Sequence, residues 1–342
     1  MRILLVTQMW PSPVHPDLGS FLVPLAREIE TLGHEVEVAA ISRRGGPRAD
    51  YAHLASDAAK RARRSRPDVI FSHYLFPTGA AGVSAAVAAR APLVVMAHGQ
   101  DVANLGRIPG VTFATSLILR RAAAVIANSR WLADRLAERI PSAKTKLEIA
   151  NCGVDLEAFA PQSSAAARRE LDWEGEGPAY LCVGSLIERK NVVRLADAFE
   201  RLGRGRLAFV GDGPMRSTLE GRANVRVSGR IPQAEVPRWI AACDVLCQPS
   251  LVEPFGQATL EGMAMARTVV ATTIGGPPEF VTPEAGLLAD PHDTEGLVAA
   301  LARAAELQSP NPAARAAAAE HDVRRQAALM ATTLERAVAG RV

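Results

Sequence analysis

Short apolar runs alternate along the chain with stretches whose apolar positions recur at helical spacing. In the first half, residues 3–6, 36–40, 69–72, 93–97, 125–127 and 147–149 read as buried strands, and 21–32, 54–64, 78–89, 116–121 and 129–139 as helices. Continuous apolar strands separated by helices predict a parallel sheet covered on both faces. Asn128-Ser129 marks a helix start directly after a strand. The alternation breaks over 151–164, the turn-rich NCGVDLEAFAPQSS, and then restarts. Strands at 180–183, 207–210, 225–227, 245–247, 268–271 and 286–289 enclose helices at 192–202, 214–220, 233–242, from about 256 onward, and 294–306. The Ala/Arg-rich tail, 312–342, reads as helical with a break near His321. The expectation is an α/β chain of two doubly wound parallel-sheet domains, 1–160 and 161–320, facing a central cleft, followed by a terminal helix, 321–342. A length of 342 residues suits two domains better than one.

Composition narrows the function classes. With 48% hydrophobic and 22% charged residues the chain can bury substantial cores, and a net charge of +3 is too small to argue for nucleic acid. The charge is uneven: through Ala160, 19 Lys/Arg stand against 14 Asp/Glu. Cys182, Cys243 and Cys247 lie in apolar segments, and with Cys152 they show no zinc spacing, so free thiols in a reducing compartment are expected. The N-terminus runs straight into a strand, too short an apolar run for a signal peptide, and no window of about 18 apolar residues could span a membrane. A cytoplasmic protein is the expectation. The run KRARRSR, Lys60 to Arg66, could touch anionic head groups at the inner membrane face, but a solvated surface helix is the preferred reading because its apolar face is mostly alanine.

The chemistry concentrates in residues 248–280, QPSLVEPFGQATLEGMAMARTVVATTIGGPPEF. A strand ends, a polar loop carries Glu253, and a helix starts at Phe255, Gly256, Gln257 and Ala258, with Glu261 inside it. A helix start offers unpaired N–H groups and a positive dipole end, which suits a phosphate. From Gly256 to Glu261 the rise is roughly 7.5 Å, the reach from a pyrophosphate to the hydroxyls of its ribose. Glu261 can accept hydrogen bonds from those hydroxyls, and Glu253, before the helix, can serve a sugar on the other side of the phosphates. The geometry suggests a sugar nucleotide.

Ligands of doubly wound sheets bind beyond the carboxyl ends of strands. There lie GSLIERKN, opened by Gly184, whose Arg189 and Lys190 could grip a diphosphate; GDGP, read as a structural turn; and GRIPQ, where Arg230 could lie along the donor nucleotide. In the first half, strand 93–97 runs into HGQD, making His98 a site candidate and Asp101 an acceptor contact. His73 ends another strand with weaker context, and Gly19-Ser20 opens the first helix, where free amides could meet the same phosphates. No Asp-x-Asp triplet for a nucleotide-bound metal, no Walker loop and no complete GxGxxG occurs.

These residues resemble the family 4 retaining glycosyltransferases of GT-B fold (glycosyl transferases group 1) over nearly the whole chain, through EPFGQATLEGMAMA, GSLIERKN, GDGP, NCGVD with Phe159 and Pro161, and GGPPEF. RILLVTQMWPSP…GSF and HGQD are similar to the branch of cell-wall and capsular polysaccharide assembly. The resemblance implies that Glu253 contacts the donor sugar, Glu261 the ribose, and the Phe255 to Ala258 amides the sugar and phosphates. Arg189 and Lys190 then neutralise the leaving diphosphate, His98 approaches the sugar, and the C-terminal helix crosses back onto the first domain. It further implies retention at the anomeric carbon, with a nucleoside diphosphate sugar (UDP preferred over GDP), no metal or other cofactor, and a sugar, glycolipid or small-molecule acceptor. With no nucleophile evident, front-face attack assisted by the leaving phosphate is the expected route. A nucleotide-sugar 2-epimerase of the same architecture and a non-catalytic sugar-nucleotide-binding protein remain open at this stage.

Overall fold

The computed structural model describes residues 1–43 and 46–340. It divides into a first unit, Met1–Gly153 together with the chain from Val323 onward, and a second unit, Val154–Asp322. The division falls at Gly153 and Asp322, where the turn-rich composition suggested Ala160 and the break in the helical tail suggested Glu320. Val154 pairs with Asp322 as a parallel bridge, and its N–H donates to the His321 carbonyl at 2.9 Å. Phe159 packs in the core of the second unit, so the linker-like stretch is part of that unit.

In the first unit β1 (Arg2–Thr7), β2 (Glu35–Ala40), β3 (Val69–His73), β4 (Leu93–Ala97), β5 (Ala124–Ala127) and β6 (Leu147–Ile149) form one sheet in the order β2-β1-β3-β4-β5-β6. Every pairing is parallel. All residues of β3, β4 and β5 are buried, as the unbroken apolar sequences of β4 and β5 and the apolar start of β3 require when helices cover both faces. The helix expected at 54–64 spans Ala49–Ser65, and the one expected at 116–121 begins earlier, at Val111. The terminal helix Val323–Val338 belongs to this unit: Val323, Ala327, Met330 and Leu334 pack with Ile3, Phe71 and Met96. Its Gln326 accepts from the buried Asn151 N–H at 3.1 Å, and Thr333 and Arg336 both bond Glu148 of β6. Aliphatic packing and these polar ties dock the helix without aromatic anchors.

In the second unit β7 (Ala179–Val183), β8 (Arg206–Val210), β9 (Val225–Gly229), β10 (Val245–Gln248), β11 (Thr268–Thr272) and β12 (Gly286–Ala289) are ordered β12-β11-β10-β7-β8-β9. A helix, Ser164–Glu170, which the sequence reading did not assign, follows the linker-like stretch and precedes this sheet; Ser163 caps it by accepting from the Ala166 N–H. The helix expected at 214–220 is only the short Arg216–Leu219, and that at 233–242 begins as a 3-10 turn before Val236–Ala242. All four cysteines are buried and free. Strand order reverses between β1 and β3 in the first sheet and between β7 and β10 in the second, the crevices where open α/β sheets take ligands.

Candidate active site

The loops after β7 and β10 flank the reversal point of the second sheet, and long-range hydrogen bonds stitch them together. Lys190, in the 3-10 turn Glu188–Lys190, donates from Nζ to Glu253 Oε2 at 2.5 Å. Ser250 Oγ donates to the same oxygen at 3.0 Å. Arg189 donates to the Val252 carbonyl at 2.9 Å, and the Leu251 N–H returns a bond to the Arg189 carbonyl. Asn191, in a left-handed conformation, donates to the carbonyls of Pro249 and Pro291 at 3.0 and 2.8 Å. Ser250 and Asn191 carry no catalytic signature in sequence, and they act here by fixing the loops.

Burial pushes the Glu253 carboxyl up, but Lys190, then Arg189 and Ser250, more than reverse this and leave it below its ordinary value. An ionised carboxylate is therefore held ready to accept from hydroxyls. Behind it, Gly275 has φ +127°, and a Cβ there would fall 1.9 Å from the Glu253 carbonyl oxygen. The Glu253 N–H donates to Ile274 and the Gly276 N–H donates to Glu253, so the two loops run side by side as a short parallel bridge. Only glycine fits this close approach.

Helix Gln257–Ala264 starts at Gly256, which is left-handed, and no side chain caps it. Its first-turn N–H groups lack intrahelical acceptors by geometry and lie directly after the Glu253 loop. One turn in, Glu261 is buried; burial raises it to about 7, against a hydrogen bond with Gln257 and the Lys190 charge. The Thr259 hydroxyl and Gln248 Oε1 are buried without a partner among the described residues. Space at Gly184 is open, the nearest atom to a Cβ there being Lys190 Cε at 4.0 Å. The GDGP turn is structural, with the Gly184 N–H bonded to Val210 and the Leu186 N–H to Asp212. Arg230 is exposed beyond β9, the edge strand, away from the β7/β10 reversal.

In the first unit His73 ends β3 and His98 follows β4, and their rings meet, with His73 Nδ1 3.0 Å from His98 Nε2. His98 also stacks on Tyr74 at 5.6 Å between ring centres. Burial lowers both histidines below their ordinary value, His98 adding to the effect on His73, so both are neutral. His73 Nε2 is buried with no partner among the described residues.

Two expectations change, and the Lys60 to Arg66 run takes the solvated-helix form preferred for it. Asp101 was expected to meet the acceptor, but its carboxylate is buried and accepts from the N–H groups of Leu75, His98, Gly99 and Val102 at 2.8–3.1 Å. It shapes the loop that carries His98. Gly19 does not open a helix, which begins at Leu22; a Cβ at Gly19 would lie 2.4 Å from the Met9 carbonyl, so the glycine serves a tight turn. In the Lys60 to Arg66 run, Arg61 pairs with Asp57 and Glu37 and Arg64 with Glu37, while Leu54, Ala58 and Ala62 face the core. That helix has no apolar face to give a membrane.

The sequence model "Glycosyl transferases group 1" matches residues 177–306, and "Glycosyltransferase Family 4" matches residues 18–158. The chain belongs to the family 4 glycosyltransferases. Over 349 residues this glycosyltransferase is 25% identical to the putative teichuronic acid biosynthesis glycosyltransferase TuaC of Bacillus subtilis, covering 89% of each chain. Its fold is similar to that of sucrose-phosphate synthase from Thermosynechococcus elongatus, with a TM-score of 0.83, 20% identity, and 99% and 100% of the two chains covered. Anabaena HepE, solved with UDP-glucose, matches with a TM-score of 0.79 at 21% identity, over 98% of this chain and 99% of HepE. The fold is thus GT-B. Among the described residues of the glycosyltransferase, no cluster of three His, Cys, Asp or Glu groups could hold a metal ion, and no helix is long and apolar enough to cross a membrane.

Proposed function

We propose that this glycosyltransferase moves a hexosyl group from a nucleoside diphosphate sugar, UDP-linked in preference to GDP-linked, to an acceptor hydroxyl with retention at the anomeric carbon. The observation that carries the reading is the Lys190–Glu253 pair, joined across the β7/β10 reversal point and followed directly by an uncapped helix start. A nucleoside diphosphate sugar presents what these groups recognise, in order: ribose hydroxyls for Glu261, phosphates for the helix start, Arg189 and Lys190, and sugar hydroxyls for Glu253. The UDP preference is supported by HepE, which binds UDP-glucose on the same fold.

In the proposed step the anomeric carbon–phosphate oxygen bond breaks while the acceptor oxygen bonds to the same face of that carbon. The acceptor proton passes to the departing phosphate oxygen. Negative charge grows on the diphosphate, and Lys190 can answer it without leaving Glu253, since an ammonium has three donors. Arg189, held at Val252 through one nitrogen, can turn its remaining N–H groups to the phosphates. These fixed charges carry the leaving group in a metal-independent reaction. His98, neutral and half-buried, contacts the transferred sugar as a hydrogen-bonding group.

Thermal-shift titration with UDP, GDP, ADP and their sugars tests the donor class, since a ligand that binds the folded state raises its apparent stability. The largest upward shift is expected with UDP and UDP-sugars; a shift with GDP alone would reverse the base assignment. Product stereochemistry read by NMR tests retention, and an inverted product would overturn the front-face step.

A further inference from the structure

Every large hydrophobic side chain recorded as exposed among the described residues belongs to the first unit. Two lie on one helix and a third in the loop before it: Phe113 is 70% exposed, and Leu117 and the preceding Ile108 are each nearly half exposed. Helix Val111–Arg121 turns Val111, Thr115, Ile118 and Leu119 into the core. Phe113, Leu117 and Arg120 follow at the four- and three-residue steps that keep one stripe of a helix together, and this stripe faces outward. Arg121 lies four residues beyond Leu117, and Arg107 adjoins Ile108 in the preceding loop.

Charge distinguishes this face from a chance apolar patch. From Val102 to Ala124 the chain has no Asp or Glu, so no carboxylate of this segment offsets the arginines. Arg107, Arg120 and Arg121 are all exposed and have no ion-pair partner among the described residues. Lys146 adds to the cationic end by donating to the carbonyls of Leu119, Arg120 and Ala122, and Lys144 is exposed beside it. The Lys60 to Arg66 run differs, with carboxylate partners for Arg61 and Arg64 and the apolar side of its helix turned inward.

We infer that the outward face of helix Val111–Arg121, extended by Ile108 and Arg107, is a docking surface for an anionic lipid bilayer. An aromatic and two aliphatic side chains enter the interface while unpaired arginines meet lipid phosphates, the arrangement of a helix lying in the plane of a membrane surface. With only three apolar anchors, binding is reversible. In the chain, the loop bearing Ile108 follows directly on the HGQD turn and its short helix.

Co-sedimentation of the full-length protein with vesicles tests this without nucleotide or acceptor, so its result is independent of the donor assignment. Binding is expected to mixed phosphatidylglycerol/phosphatidylcholine vesicles and not to phosphatidylcholine alone. Phe113→Ser with Leu117→Ser should weaken partitioning at least about tenfold, and Arg120→Gln and Arg121→Gln about fivefold each. Both sets change exposed residues, and an unchanged melting temperature verifies folding; should the double serine variant fail that check, Phe113→Ser alone is the readout. Equal binding to both vesicle types, no binding, or binding indifferent to the serine changes overturns the proposal. So does a dimer in solution that Phe113→Ser converts to monomer, because the face would then be covered by a second copy.

Discussion

The loops after β7 and β10 and the histidine corner after β3 and β4 occupy corresponding ends of two parallel sheets, yet they are built on opposite electrostatic terms. In the second unit the charges already hold one another, Lys190 to Glu253 with Ser250 in support. In the first unit the central groups are two neutral imidazoles, one with a buried nitrogen that no described residue answers. A region that must stabilise a departing diphosphate benefits from charge fixed before the ligand arrives, since reorganising it during the reaction would cost free energy. A region proposed to meet an uncharged sugar needs hydrogen-bonding shape instead.

The largest test of that contrast removes one member of the ionic pair. Lys190→Ala and Glu253→Ala should each lower kcat/KM by at least about a thousandfold. Lys190→Ala should also cost about 3 kcal/mol of stability in the empty protein, because it leaves a buried carboxylate without its cation. Wild-type turnover in either variant would remove the assigned roles. Gly275→Ala comes next. Its Cβ cannot fit against the Glu253 carbonyl, so the loop must shift, and displacement of a positioning group by about 1 Å can cost a hundredfold in rate. Gly33→Ala is the control, being left-handed at φ +88° with open space around its Cβ, and it should show backbone strain alone.

Glu261 sharpens the comparison through pH. Its folded value, about 7, lies above the ordinary carboxyl value of 4.5, so its contribution to the stability of the empty protein is present below 4.5 and lost as the pH rises through about 7. Ribose hydroxyls donate to the ionised form, so donor affinity runs the other way. It should fall by up to about tenfold per pH unit as the pH drops below about 7. Calorimetric titration at several pH values should show this slope in the wild type and a flat, weaker profile in Glu261→Gln. A sloping profile in the variant would assign the proton elsewhere.

The parallel sheets were legible because buried strands such as LVVMA admit no other reading, and the donor loop because Glu253 and Glu261 stand at fixed distances from one helix start. What the sequence hid depends on contacts between distant residues. Asp101 looked like a ligand contact because nothing local shows that four amides occupy its oxygens. The ion pairs of the basic run after Lys60 were hidden because Glu37, the partner of Arg61 and Arg64, lies far away in sequence on β2. Asn191 and Ser250 were silent for the same reason. The boundary at Gly153 was missed because turn-rich composition does not distinguish a linker from a loop packed into a core.

The smallest effect expected concerns His73, whose context alone gave it a weaker claim than His98. One proton lies between His73 Nδ1 and His98 Nε2, and the two neutral rings can place it in two ways. If His98 donated, His73 would carry its own proton on Nε2, a buried N–H with no acceptor. If His73 donates from Nδ1, only a lone pair is left unanswered, and buried orphan acceptors are better tolerated than orphan N–H groups. His73 thus acts as a positioning residue that holds His98 with its proton on Nδ1, where it can serve as a donor. Nitrogen-15 NMR should find His98 Nε2 unprotonated and His73 protonated at Nδ1. His73→Phe, which keeps ring volume but removes the bond, should free the His98 tautomer and lower kcat about fivefold with KM little changed, a loss the size of one neutral hydrogen bond. Since burial keeps both rings neutral, activity should show no histidine inflection between about pH 6 and 8. A protonated Nε2 on His98, or an unchanged kcat in His73→Phe, would reduce His73 to packing and leave His98 to orient itself.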